Sequence, residues 1–375
     1  MSNMSLHISS LQNQIQLNCH ISDANYSGTF SLCMLLLRLR NLYKWEMGMP
    51  PWQEAHQAEL LQWVENRENM WLDLEGRSPE PLKVEGESLD SMEASQINAL
   101  LSGSGLYYGA GLVTGMKPSY FLGRVVEKRK QEGMHICVVD EELARDIFSV
   151  PLMRQGDHIV GRRRSMATLL WDEILELRAS SARALAYAFD CHGLNLHRLR
   201  RRPDLYRDGF LKACDTELET WVYHEIGESL VDVFPGDFWQ RIVSEQAGTL
   251  VEFFARAVRD VLADTCRGGL LDHIVKEGKS SSLGFYAALI RPMSRIIYPE
   301  IVPAVQDFMQ NSHWEKVEEA RRAGYKRGRE MALHLVDIYQ GCRQEGPEQA
   351  RNQVTERVIR PLGLLESLES ENPAE

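Results

Sequence analysis

The stretch Glu217-Leu-Glu-Thr-Trp221-Val-Tyr-His224-Glu-Ile-Gly-Glu228 holds the residue types best suited to chemistry in this chain. On a helix of about 3.6 residues per turn, Glu217, Trp221, His224 and Glu228 step by four, three and four and share one stripe. Two carboxylates and an imidazole on one stripe can hold a metal ion. The same stripe can also be a charged contact face or plain wet surface, and by itself it names no reaction. The ordinary apolar stripe of this segment, Leu218, Val222, Ile226 and Val233, lies roughly 130° away.

Two other segments carry acids on their apolar side. Glu173 falls among Met166, Leu169, Leu170, Ile174 and Leu177. Asp264 falls inside the arc of Leu250, Phe253, Phe254, Ala257, Val258 and Val261, with Asp260 one turn earlier on its margin. Asp264 also stands near a helix C-terminus, where the macrodipole disfavours an anion. Burying such a group without a partner is costly, so each needs one. Glu173, Glu217, His224, Glu228, Asp260 and Asp264 therefore form a candidate metal shell drawn from three helices. Carboxylates with few histidines suit iron, manganese or magnesium better than a structural zinc site, and iron, manganese and zinc are the candidate ions. Arg256, Arg259, Arg291 and Arg295 supply the competing explanation, a structural network in which guanidinium groups satisfy the acids. Both readings stay open here, and no residue is assigned a catalytic role.

The pair Glu217-x6-His224 resembles the first ligand pair of heme-oxygenase-like di-iron proteins, which are all-helical. The later H-x3-D-x2-H element of that family is absent, and His334-x2-Asp337 is the nearest fragment. The one E-x-x-H, Glu132 to His135, falls in an expected hairpin turn rather than on a helix. His224-Glu225 opens like a zincin motif, but Glu228 stands where its second histidine belongs. Cys191 and His192 are neighbours on a helix, about 100° apart, and form no dyad.

The elements that must position these groups are mainly α-helical. The pattern predicts helices over 29–48 and 53–75, divided by Pro50-Pro51, and then 165–190, 203–212, 214–233, 236–246, 249–265, 269–277, 281–291, 298–310, 313–341 and 349–359. Residues 73–93 are acid-rich, with Pro79, Pro81 and Gly86, and read as a linker or surface loop. Gly103, Gly105, Gly109, Gly111 and Gly115 crowd the next segment. No strand pattern precedes them, Lys117-Pro118 follows, and there is no G-K-[ST], so no cofactor-binding loop is assigned. Residues 122–139 read as a β-hairpin around Glu132-Gly133, and 147–152 and 158–162 as candidate short strands around Gly156-Asp157. The expected organisation is a helical N-terminal region (1–119), a small β-hairpin element (120–164), a C-terminal multi-helix bundle (165–361) and an acidic tail (362–375).

Across 375 residues, 44% hydrophobic and 25% charged content is the balance of a globular protein. A formal net charge of -11 argues against nucleic acid or an anionic membrane as partner. The seven cysteines are scattered and never C-x-x-C, which argues against a disulfide framework or zinc ribbon and for a reducing, cytoplasmic setting. No apolar run approaches the ~20 residues a membrane span needs. Tyr108-Gly-Ala-Gly111, His224-Glu-Ile-Gly-Glu228 and Ala255-Arg-Ala-Val-Arg-Asp260 through Asp264 are together similar to a bacterial, mainly α protein family of unknown function. That resemblance spans roughly residues 105–310 and supplies no substrate. Two functions are carried forward: a carboxylate/His metal centre of oxidase or hydrolase type acting on a small molecule, or a non-enzymatic protein that binds a protein partner. For the second, Trp45, Trp52, Trp63 and Trp71 mark a possible contact surface.

Overall fold

The computed structural model describes residues 2–364, with side chains described from Ile8 onward. The acidic tail from residue 365 lies outside the described residues. The chain divides into two compact units, Met1–Val113 with Lys117–Asp172, and Thr114–Met116 with Glu173–Glu375.

In the first unit the elements run α1 (Ser2–Tyr26), α2 (Leu32–Glu46), α3 (Gln57–Leu72), β1 (Leu82–Val84), β2 (Glu87–Leu89), α4 (Ala94–Leu100), β3 (Leu106–Leu112), β4 (Pro118–Gln131), β5 (Met134–Arg145), β6 (Leu152–Gln155), β7 (His158–Arg162) and the greater part of α5 (Arg163–Glu176), which enters the second unit at Glu173. The expected hairpin is present. Gln131 pairs with Met134 across a two-residue turn in which Glu132 and Gly133 both have positive φ, as a type I′ turn demands. The hairpin is, however, the centre of a five-stranded sheet in the order β3-β4-β5-β7-β6, antiparallel except for the β5-β7 pair. The small β element expected from the sequence is corrected accordingly.

A second correction concerns the glycine-rich segment, most of which is strand β3. Gly109 pairs with Phe121, and a Cβ there would lie 1.9 Å from the Phe121 ring, so the glycine makes room for that aromatic. The acid-rich stretch is also more than a linker. It contains the β1-β2 hairpin, which buries Leu82 and Val84.

Strand alternation decides what each face of the large sheet covers. Tyr108, Tyr120 and Leu122 pack with Leu11, Ile15 and Cys19 of α1, while Tyr107, Phe121, Val139 and Val160 cluster separately. Two ionic groups are buried in this unit. Lys117 Nζ lies 3.1 Å from Asp23 and 3.5 Å from Asp146, joining α1 to the sheet. Glu142 takes Arg162 Nε at 2.7 Å and Ser165 Oγ at 2.9 Å on one oxygen and Arg145 on the other. Trp71 packs in the cluster of Leu39, Leu42 and Ile147, with Trp45 and Trp63 partly buried against it, and Trp52 is buried beside Trp171.

The second unit is helical: α6 (Ala182–Cys191), α7 (Leu196–Arg201), α8 (Arg207–Leu230), α9 (Phe238–Glu245), α10 (Leu250–Thr265), α11 (Leu270–Lys276), α12 (Ser280–Leu289), α13 (Pro292–Ile297), α14 (Ile301–Asn311), α15 (Trp314–Gly341) and α16 (Pro347–Val354). The expected 165–190 helix is two, interrupted between Glu176 and Ala182, where Leu177 takes positive φ. The expected 203–212 and 214–233 helices are one, α8, because nothing between Arg207 and Leu230 breaks it. Thr249 caps α10 by accepting from the Glu252 amide, and Glu252 in that first turn bonds Gly248 N at 2.7 Å. α10 packs against α8, α13 and α15, which leaves nearly its whole circumference buried. Among the described residues, no helix is long and apolar enough to cross a membrane.

Candidate functional site

Gly227 sets the distance between α8 and α10. A Cβ at this position would lie 2.1 Å from the Ala263 carbonyl oxygen, so the two backbones meet there directly. His224 and Glu228 flank Gly227 on α8, and Asp260 and Asp264 flank Ala263 on α10 at helical i,i+4 spacing. The close crossing brings the four ionisable side chains together.

His224, Glu228 and Asp260 each offer a ligand atom, and those three atoms lie within 4.8 Å of one another. Asp264 accepts a 2.7 Å hydrogen bond at Oδ1 from His224 Nδ1. With Nδ1 so engaged, Nε2 is the imidazole nitrogen left to face a ligand, the arrangement in which a carboxylate orients a metal-binding histidine. Burial alone would lower the pKa of His224. The charge and hydrogen bond of Asp264, with the charges of Asp260 and Glu225, outweigh burial and raise it well above the usual imidazole value. Burial also raises Asp260; His224 and Arg291 pull it back, Glu228 and Asp264 push it further, and the net effect is upward. Arg259 pairs with Glu228 at 3.2 Å and lies over the Trp239 ring.

The other two candidate ligands stand elsewhere. Glu217 is fully buried on α8, about 10 Å along the helix axis from His224. Its Oε1 accepts from Ser282 Oγ at 2.9 Å, its Oε2 has no hydrogen-bond partner, and His192 Nε2 is 3.8 Å away. Glu173 is half-buried on α5 and is not among the residues whose ligand atoms converge. The arginines behave differently from one another. Arg256 pairs with Glu252 at 2.8 Å, and Arg295 bonds the carbonyls of Ile290 and Ala287. Arg291, at the start of α13, acts on Asp260 through its charge.

Sequence reasoning missed Gly227, since a glycine within a helix reads as neutral spacing until the facing backbone is known. Nor does it show Ser282, which bonds Glu217, or Tyr286, which meets Trp221, until α12 is placed against α8. Trp221 was on the stripe from the outset; its ring meets that of Tyr286 at 6.4 Å.

Residues 10–162 match the model described as the N-terminal domain of a family of unknown function (DUF6866), and residues 167–357 match that of its C-terminal domain. The gap between the two ranges falls in α5, as does the boundary between the compact units. No curated protein and no solved structure matches the chain.

Proposed function

The chain belongs to the DUF6866 family, and from its side-chain geometry we propose that its C-terminal domain carries a divalent-metal centre on His224, Glu228 and Asp260, with Asp264 orienting the imidazole. The observation that carries this reading is the convergence of one imidazole and two carboxylates from two helices within 4.8 Å. One nitrogen and two oxygen ligands suit iron or manganese and admit zinc, and leave coordination positions open. An ion bound there would act as a Lewis acid or activate a water or oxygen molecule, giving hydrolase- or oxidase-type chemistry. Glu217 and Glu173 are left out of this shell.

A second reading has its own observation. Arg259 already pairs with Glu228 and Asp264 with His224, so the same groups form a self-satisfied ionic network. In that case the network fixes the α8-α10 crossing, and the protein works by binding a partner elsewhere.

Elemental analysis of protein purified without an affinity tag, beside a His224→Ala variant, separates the two. Near-stoichiometric iron, manganese or zinc in the parent, lost in the variant, is the expected result. A metal-free parent whose melting temperature ignores added Fe²⁺, Mn²⁺ and Zn²⁺ would leave only the structural network.

A further inference from the structure

Glu228 has two possible cationic partners. It offers a ligand atom to the site it shares with His224 and Asp260, and its Oε2 lies 3.2 Å from Arg259 Nη2. The side chains of Arg259 and Glu228 are only 16% and 19% exposed, so water and salt screen the pair weakly. Whichever carboxylate oxygen takes a divalent ion, the ion and the guanidinium would share one carboxylate. Like charges so close and so poorly screened repel each other. The two cations therefore compete for Glu228.

The surroundings of Arg259 suit a cation that exchanges. Arg295 is fixed by two backbone carbonyls, and Arg256 pairs with the fully buried Glu252 two turns before Asp260. Arg259 instead rests on the half-buried ring of Trp239 on α9, at 4.6 Å, and that ring meets Phe234. A cation–π contact needs no carboxylate, so a guanidinium that leaves Glu228 keeps this face to lie on. The pairing also has a role while no ion is present. Burial disfavours the charged form of Asp260, and the nearby charges of Glu228 and Asp264 add to that. Acids crowded in this way need a counter-charge, and Arg259 supplies one.

We infer, on the footing of the metal reading above, that Arg259 is the resident counter-ion of the centre. A divalent ion loads by displacing the guanidinium from Glu228 and leaving it on Trp239, and Arg259 thereby holds the metal affinity down. The centre then fills only where the free ion is abundant enough to win that exchange. The same ligands without the arginine would load at lower ion concentration.

The test is calorimetric titration of the full chain with Mn²⁺. Arg259→Gln, which keeps much of the side chain and removes its charge, is expected to bind Mn²⁺ at least about tenfold more tightly than the parent. Arg259→Lys keeps the charge and is expected to stay within about threefold of the parent. Mn²⁺ binding that Arg259→Gln leaves unchanged overturns the counter-ion role alone. Weaker binding in Arg259→Gln overturns it too, by making Arg259 a residue that positions Glu228 for the ion. Binding to Arg259→Gln but not to the parent supports it. No binding to either removes the metal reading itself, and the counter-ion with it. Where Arg259→Gln does not fold, the parent decides, labelled with ¹⁵N-arginine and titrated with diamagnetic Zn²⁺. The Arg259 side-chain signal, identified by its loss in Arg259→Lys, is expected to move as the ion loads, and a signal that bound Zn²⁺ leaves in place overturns the exchange.

Discussion

Glu217 and His224 sit on one stripe of α8, yet the chain treats them differently. His224 meets an acid, whereas Glu217 is covered completely and takes ordinary hydroxyl bonds from α12. Glu217→Gln preserves shape and removes a buried charge with one unpartnered oxygen, so it should hold or raise the melting temperature and leave bound metal at the parent level. Metal loss in that variant would put Glu217 back in the shell. Glu142 is the opposite case. Burial alone would push its carboxyl up, but Arg162 and Arg145, with bonds from Arg162 and Ser165, hold it down at about 2, against an ordinary 4.5. A carboxyl whose pKa is lowered by folding stabilises the fold above its unfolded value, and that share is lost as pH falls through its folded value. The first unit should therefore lose on the order of 3 kcal/mol between pH 4.5 and about 2 through this one group. Glu142→Gln should flatten that part of the acid profile. At neutral pH it should cost roughly 3–5 kcal/mol, because two buried guanidiniums lose their counter-charge. Acid titration followed by circular dichroism on both proteins checks the slope, and an unchanged slope would remove Glu142 as its source.

Between elements, the crossing of α8 on α10 is the feature on which the candidate centre depends. Gly227→Ala puts a methyl group against the Ala263 carbonyl and must separate the helices. The expected cost is at least about 1–3 kcal/mol, with weaker metal binding as His224 and Glu228 withdraw from Asp260 and Asp264. Gly341→Ala, at the end of α15 with nothing within 4 Å of the added carbon, should instead be neutral or gain a few tenths of a kcal/mol. Chemical denaturation of the pair measures the contrast; equal effects would show that the close approach at Gly227 carries no energy. This crossing also marks what the sequence made legible. Helical spacing put His224 with Glu228 and Asp260 with Asp264, because i,i+4 neighbours are a local property. It was silent on which stripes of α8 and α10 face each other, since that depends on one glycine opposite one carbonyl. Pairing between distant segments hid β3 and the order of the sheet for the same reason, although His158–Arg162 reads as a strand and is β7. The hairpin at Glu132-Gly133 announces itself through its turn, but β3 looks like a loop because Gly109 and Gly111 interrupt it. β7 lies parallel to β5 through a connection that leaves no local trace.

At the scale of the whole chain, two family domains and two compact units agree on a division at α5. The buried ionic groups of the first unit and the mostly half-buried ones of the second divide in the same way. Lys117-Asp23-Asp146 and Glu142-Arg162-Arg145 belong to the first unit, and His224-Asp264 with Arg259-Glu228 to the second. A ligand that binds only the folded form of one unit stabilises that unit, by about 2.7 kcal/mol at a hundred times its dissociation constant. For a unit of this size that is a rise of roughly 5–10 °C. Scanning calorimetry with Mn²⁺ should therefore move the transition that Gly227→Ala lowers and leave in place the one that Glu142→Gln lowers. One transition, moved by all three perturbations alike, would mean that the units unfold together, and the stability of each could then not be assigned to its own network. Movement of the Glu142-dependent transition alone would locate the ion in the first unit and remove His224, Glu228 and Asp260 as its site.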